Sequence, residues 1–345
     1  MAKQRLSGKK KQLVDEWEEY LRRIRTLTEV DFTMDDADKA QTLRRLEADP
    51  VEWMSFMFHR FARYPFAGFQ KKAIRRIVEH ADGNWYEVLS WARELAKSTI
   101  VMMTVLYLVL VKKNKRVIIL ASATNDAAIK LLGVYRAQFE ANERLRYFYG
   151  DLRGSKWSED YFLLSGRVSF MAMGWGQSPR GVKLEEVRPD LLLMDDYDTD
   201  EECRNAEVLN NKWRWFENAL FFTRSISASL LTIWTGNVIA KDCCVVRAGK
   251  KARELAGSSC HAGRSRSGTG TSSTCAWWTS TVPTRRPTTG TENPSGRKRT
   301  ARRLSTKCWR RSAWPPGRRS ASTTPWWRAA TSPRCTGANA RRCRS

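Results

Sequence analysis

The last part of the chain lacks whole classes of residue. Residues 249–345 contain no Asp, Gln, Ile, Met, Phe or Tyr, and their only leucines and valine are Leu255, Leu304 and Val282. The segment carries 22 lysines and arginines against two glutamates, a net charge of +20, whereas residues 1–248 carry +5. Because so little aliphatic surface cannot offset the chain entropy of folding, we predict a disordered basic tail over residues 251–345.

Three further features are missing from the whole sequence. The longest largely apolar run, residues 99–111, has 13 residues and is too short to span a bilayer. The chain opens with a basic arm and no signal-peptide pattern, so we expect a cytoplasmic protein with no membrane partner. The eight cysteines form no CxxC pair, which argues against a zinc site or a disulfide scaffold.

The remaining sequence divides into two parts. Residues 1–48 are highly charged, and the spacing of VDEWEEYLRRIRTL (14–27) predicts an amphipathic helix behind a basic arm that either touches nucleic acid or is an ordinary charged terminus. Over 49–250, apolar strands at 85–90, 116–124, 166–174, 189–196 and 229–236 alternate with helical segments. This alternation predicts an α/β fold with a mostly parallel sheet flanked by helices, whose ligands bind at the carboxyl ends of the strands.

The stretch SWARELAKST (90–99) has the end of a phosphate-binding loop but not its glycines. It follows a predicted strand and opens an apolar helix, which is the context such a loop requires. Trp91 and Ala96 stand where glycines are expected. In this interpretation Ala96 keeps the backbone close to the phosphates of ATP, Lys97, Ser98 and Thr99 bind them, and Ser98 also holds Mg²⁺. The alternative is an ordinary helix start.

Two later segments supply the groups that a P-loop ATPase of the RecA-like type needs beside that loop. LLLMDDYD (191–198) ends an apolar strand in two acids, so Asp195 is predicted to hold Mg²⁺ and Asp196 to orient the attacking water. TIWTGN (232–237) ends another, and Thr235, Gly236 and Asn237 are predicted to lie beside the γ-phosphate. Strands commonly end in Asp, and Thr-Gly-Asn also suits a plain turn, so each alternative stays open.

Taken in order, these motifs resemble the ATPase domain of the large terminase subunit of tailed bacteriophages. The resemblance covers roughly residues 50–250 and includes PFAGFQ (65–70), the loop arginine Arg93, GQSPRGVK (176–183), RPDLLLMDD (188–196) and Thr235-Gly236-Asn237. It implies that Gln70 reads the adenine of ATP. It also implies that Arg93, or Arg180 acting on a neighbouring subunit, stabilises the charge of the transition state.

The resemblance also implies the setting of the reaction. A DNA-packaging motor hydrolyses ATP with Mg²⁺ as a homo-oligomeric ring in the host cytoplasm, transiently on the procapsid. Its partners are double-stranded DNA, the portal of the procapsid and a small terminase subunit. A helicase-like ATPase acting on nucleic acid is the alternative enzyme. The other alternative is a non-functional remnant whose tail binds nucleic acid non-specifically.

Large terminases continue into a nuclease domain whose clustered acids hold two metals, and residues 249–345 contain no Asp. We interpret the tail as an out-of-frame translation that begins near residues 255–262. The fixed codon of Trp lets TTPWWR (323–328), shifted by one base, encode Asn-Asn-Pro-Val-Val. The rival interpretation is a genuine nucleic-acid-binding tail that uses charge and tryptophan stacking.

Overall fold

The computed structural model describes residues 8–61, 64–179, 182–225 and 228–262. The helices are α1 Gly8–Leu27, α2 Asp36–Ala48, α3 Pro50–Met57, α4 Gly68–Glu79, α5 Lys97–Tyr107, α6 Asn125–Ala141, α7 Glu143–Tyr149, α8 Ala206–Trp215 and α9 Cys244–Ala262. The strands are β1 Trp85–Leu89, β2 Val117–Ser122, β3 Arg153–Trp157, β4 Tyr161–Leu164, β5 Val168–Gly174, β6 Leu191–Asp195 and β7 Leu231–Thr235. A π-helical turn extends α5 over Leu108–Lys112, and another extends α8 over Phe216–Leu220.

The strands form one mostly parallel sheet, which confirms the predicted α/β fold. In the described residues the strand order is β1-β7-β6-β2-β5-β4-β3. Neighbours from β1 to β5 pair in parallel, and β4 and β3 extend the sheet antiparallel. Because β7 lies between β1 and β6, the segment after β7 emerges between the segments that follow β1 and β6.

Alternating side chains of each strand supply two separate cores. In β2, Ile118 and Leu120 pack with the helices of residues 50–149, whereas Ile119 and Ala121 face the opposite layer. That second layer consists of α8, its π-helical turn and α9. Strands that are buried on both faces read as continuous apolar runs, which is why LLLM and VIIL are so regular in the sequence.

The amino-terminal segment packs on the same structure through its described residues. Ile24 of α1 is fully buried with Ala137 and Ala141 of α6. Glu47 of α2 accepts hydrogen bonds from Tyr107 Oη at its backbone oxygen, 2.6 Å, and from Tyr149 Oη at its carboxylate, 2.9 Å. The charged helical segment predicted over 1–48 therefore covers one face of the sheet's helix layer.

Several predicted elements differ from those observed. The sequence did not indicate α2, α3 or the β3–β4 hairpin, and it did not indicate that the helical segment after β2 divides at Asn142 into α6 and α7. The helix α9 continues to Ala262, so residues 251–262 are helical although the predicted disordered tail begins at residue 251. The disorder predicted for residues 263–345 lies outside the described residues. No helix in the described ranges is long and apolar enough to cross a bilayer.

Candidate active site

The loop between β1 and α5 takes a shape that usually calls for glycine. Ala96, the last residue before α5, has φ 57° and ψ 31°, in the left-handed region, and Glu94 has φ 67°. A non-glycine residue in this region costs roughly 1–2 kcal/mol. Ala96 therefore holds the backbone form expected of the missing glycine, and it delivers Lys97 to the first position of α5.

Lys97 joins this loop to the segment after β7. Its side chain is largely buried, and its ammonium donates to Trp91 O at 2.9 Å, to Ala92 O at 3.1 Å and to Asn237 Oδ1 at 3.2 Å. Burial lowers the pKa of Lys97, and the charges of Asp196 and Asp195 oppose that shift. A lysine held in this way at a helix N-terminus is placed to meet an anionic ligand.

The end of β6 meets the first turn of α5. Ser98 Oγ donates to Asp195 Oδ1 at 3.0 Å, and the hydroxyl of Thr235, at the end of β7, donates to the same oxygen. Burial raises the pKa of Asp195 to about 6, the neighbouring charge of Asp196 adds to this, and the two hydroxyl hydrogen bonds and Lys97 oppose it. The carboxylate thus sits in a dry, hydroxyl-lined position with negative charge beside it.

Asp196 differs from Asp195 in exposure and in backbone shape. Its side chain is exposed to solvent, and its backbone is left-handed with φ 42°. Its N–H donates to Thr235 O at 3.1 Å, which ties the turn to β7. One acid of the pair is therefore buried against hydroxyl groups, and the other faces solvent.

Gln70 lies against the loop between β1 and α5, and both polar atoms of its side-chain amide are engaged in hydrogen bonds. Its Oε1 accepts from Ala67 N at 2.9 Å, and its Nε2 donates to Leu95 O at 3.2 Å. The neighbouring Phe69 ring packs edge-on against Trp91 with centroids 4.8 Å apart. Trp91, at the position of the missing first glycine, thus forms part of an aromatic wall beside the loop.

The structure brings most of the predicted site residues together. Contacts join Lys97, Ser98, Asp195, Asp196, Thr235 and Asn237, and Gly236 N lies 3.4 Å from Leu89 O of β1. Thr99 lies in the first turn of α5, and Arg93 is exposed on the loop. Arg180, the second predicted arginine, lies outside the described residues.

One buried group near the site was not predicted from the sequence: Lys212 of α8, whose ammonium bonds to the carbonyl of Tyr197, the residue after the acid pair. One signal was available: Lys212 falls between Leu209 and Phe216 on the apolar stripe of its helix. A lysine on such a stripe must find a buried partner.

The residues present fit a magnesium ion. Mg²⁺ prefers oxygen ligands and is usually held by one or two carboxylates together with substrate phosphates. Ser98 and Asp195 offer a hydroxyl and a carboxylate oxygen 3.0 Å apart at the start of α5. These two residues are therefore the candidate protein ligands for the metal of a nucleotide–magnesium complex.

Comparison with known proteins finds a likeness among solved structures. No family model matches the sequence, and no curated protein matches it. Among solved structures, the large terminase of bacteriophage HK97 is similar, with a TM-score of 0.40 and 16% sequence identity. The similarity covers 55% of this chain and 37% of that chain, so the chain spans little more than a third of the length of that terminase.

Proposed function

We propose that the chain is an ATP hydrolase of the P-loop type, in which Lys97, Asp195 and Asp196 act on one bound triphosphate. The observation that carries the proposal is the hydrogen bond from Ser98 Oγ to Asp195 Oδ1, 3.0 Å long between residues 97 positions apart. An ordinary helix start does not need a serine hydroxyl that is hydrogen-bonded to a buried acid at the end of another strand. A phosphate-binding loop requires that meeting, because one metal must contact both residues.

In this proposal each side chain has a separate chemical role that follows from its position. The N-terminus of α5 offers free N–H groups and the positive end of the helix dipole to the phosphates. Lys97 turns from the Trp91 and Ala92 carbonyls to the phosphate oxygens, and the exposed Asp196 orients the attacking water. Arg93, on the exposed loop, stabilises the charge that develops during transfer. A magnesium ion held by Ser98 and Asp195 would neutralise charge on the β- and γ-phosphate oxygens.

Asn237 supplies a connection between hydrolysis and movement. Its Oδ1 accepts from Lys97 at 3.2 Å, and it follows Thr235, whose hydroxyl donates to Asp195. A triphosphate that draws the Lys97 ammonium away removes a hydrogen bond from the segment after β7. We assign Thr235–Asn237 the role of passing the state of the nucleotide to the rest of the chain.

We further propose that this ATPase is the motor subunit of a phage terminase that moves double-stranded DNA into a procapsid. Support comes from the ordered motifs PFAGFQ, the Arg93 loop, RPDLLLMDD and TGN. Its partners would be the portal, a small terminase subunit and further copies in a ring. Residues 249–345 contain no Asp and two Glu, so we expect no nuclease activity from that segment.

Phosphate release by the purified chain, with and without double-stranded DNA, tests the proposal. We expect Mg²⁺-dependent hydrolysis in the wild type and a loss of at least about 100-fold in Lys97→Ala and Asp196→Asn. Lys112→Ala, which changes an exposed lysine beyond the far end of α5, is the control and should hydrolyse like the wild type. Equal rates in the wild type and Lys97→Ala would refute the proposed site.

A further inference from the structure

A fully buried lysine bonds to the residue that follows the acid pair. The side chain of Lys212 has no exposed surface, and its ammonium donates to the backbone oxygen of Tyr197 and to Glu202 Oε2 at 2.7 Å. The same nitrogen lies 4.4 Å from the centroid of the Tyr197 ring and 5.6 Å from that of Trp175. Burying an ammonium is costly unless its contacts compensate, and here a carbonyl, a carboxylate and two aromatic rings surround it.

Lys212 and Glu202 together close the segment that follows β6. Glu202 Oε2 also accepts from Thr199, at 2.6 Å from its hydroxyl and at 3.3 Å from its N–H. Residues 197, 199 and 202 are therefore all fastened to one ammonium–carboxylate pair, and α8 carries the ammonium. The segment between the acid pair and α8 has a fixed shape as a result.

The two residues at the start of this segment are held from opposite sides. The N–H of Asp196 donates to Thr235 O at 3.1 Å, and the carbonyl of Tyr197 accepts from Lys212. Between those two hydrogen bonds lies the left-handed backbone of Asp196, with φ 42°. A non-glycine residue keeps such a conformation only where its surroundings fix it.

We propose that Lys212 is a positioning residue for Asp196. By holding the Tyr197 carbonyl it keeps the left-handed turn closed, and the turn sets the direction in which the Asp196 carboxylate projects. The consequence for hydrolysis rests on the proposed function, whereas the consequence for the turn does not. Lys212 acts through the backbone, and its polar contacts are with Tyr197 and Glu202.

Lys212→Met tests the proposal against a matched control. Lys115→Met removes an equally buried lysine, 1% exposed, that precedes β2 at the amino-terminal edge of the sheet, away from the site. Both variants lose stability, so melting temperature does not distinguish them. We expect kcat of Lys212→Met to fall about 10- to 100-fold with the Kd for Mg²⁺–ATP unchanged, because a misdirected carboxylate slows the chemical step and not binding. Lys115→Met should keep the wild-type kcat.

Hydrogen exchange measures the turn without any catalysis. We expect the amides of residues 196–199 to exchange roughly tenfold faster in Lys212→Met than in the wild type, and to be unchanged in Lys115→Met. If Lys212→Met does not fold, Lys212→Met combined with Glu202→Gln removes both charges and takes its place.

Unchanged exchange at residues 196–199 would overturn the proposal, as would a loss of kcat no larger than that of the control. A wild-type chain that hydrolyses no more ATP than Lys97→Ala refutes the proposed function instead. In that case the exchange measurement decides the role of Lys212 by itself.

Discussion

Two residues of the candidate site adopt a left-handed backbone although neither is glycine. Ala96, with φ 57°, precedes the lysine, and Asp196, with φ 42°, is the exposed acid. Such conformations persist where the surrounding structure over-determines them, and they cluster at functional sites. At the residue scale, two of the strained positions therefore aim the groups proposed to act on the triphosphate.

The strain at Ala96 predicts a stabilising substitution. Ala96→Gly removes a conformational cost of roughly 1–2 kcal/mol and adds about 0.4–1 kcal/mol of unfolded-state entropy. We expect a net gain of about 0.5–1 kcal/mol in the free energy of unfolding, measured by denaturant titration. Ala40→Gly, within α2 and exposed, should lose about 1 kcal/mol instead. A loss in both variants would contradict the backbone assigned to Ala96.

The raised pKa of Asp195 predicts how the stability of the protein changes with pH. Its pKa of about 6 lies above the ordinary aspartate value of about 3.9, so between these values the folded state binds more protons and stability falls as pH rises. Asp195→Asn keeps an acceptor oxygen for Ser98 and Thr235 but cannot ionise. Without metal and nucleotide, we expect the free energy of unfolding of Asp195→Asn to exceed that of the wild type by about 3 kcal/mol at pH 8. The two values should approach each other near pH 4. If the difference in unfolding free energy between the two proteins is the same at both pH values, the pKa of Asp195 is not raised.

At the scale of elements, β5 and α6 meet without room for a side chain. A Cβ at Gly174, the last residue of β5, would lie 2.4 Å from the backbone nitrogen of Asn125, the first residue of α6. We expect Gly174→Ala to lose about 1–3 kcal/mol of unfolding free energy, because backbone atoms must move. Gly166→Ala meets nothing within 4 Å and should stay within about 0.5 kcal/mol of the wild type. Similar losses in the two variants would contradict this packing.

The sequence predicted those elements whose pattern is local. Apolar runs bounded by turn residues located β1, β2, β5, β6 and β7, because strands buried on both faces read as continuous apolar segments. The segment RGSKW, which forms β3, has no alternation of apolar and polar residues, so the sequence did not indicate a strand there. The break at Asn142 involves one distant and one local partner: its side-chain amide donates to Met57 O at 3.3 Å, and its Oδ1 accepts from Leu145 N at 3.0 Å. No local pattern encodes the first of these contacts.

At the scale of the whole molecule, the site also combines features that the sequence predicts with features that depend on distant contacts. It was predictable that Lys97, Asp195 and Asn237 lie at the same edge of the sheet, because the carboxyl ends of parallel strands share that edge. That β7 lies between β1 and β6, which sets Asn237 against Lys97, was not predictable, because strand order depends on contacts between distant segments. Lys212 was missed because a hydropathy pattern counts a lysine as exposed.

The positive charge of the tail leads to a prediction about the salt dependence of DNA binding by the whole chain. Residues 263–345 carry 19 lysines and arginines and one glutamate. If this segment contacts phosphates, DNA binding by the full chain should weaken more steeply with salt than binding by a chain ending at Ala262, because more counterions are released. Fluorescence anisotropy with double-stranded DNA between 50 and 200 mM salt, roughly the range over which such effects are large, measures both slopes. Equal slopes would remove the tail from the interface.

A crystal structure of the full chain with Mg²⁺ and a non-hydrolysable ATP analogue tests the central claim most directly. The account predicts that the triphosphate lies at the N-terminus of α5, with the Lys97 ammonium moved from the Trp91 and Ala92 carbonyls to phosphate oxygens. It also predicts Ser98 and Asp195 at the metal and Asp196 facing the terminal phosphate. A nucleotide bound elsewhere, with Lys97 still bonded to the loop carbonyls and Asn237, would contradict it.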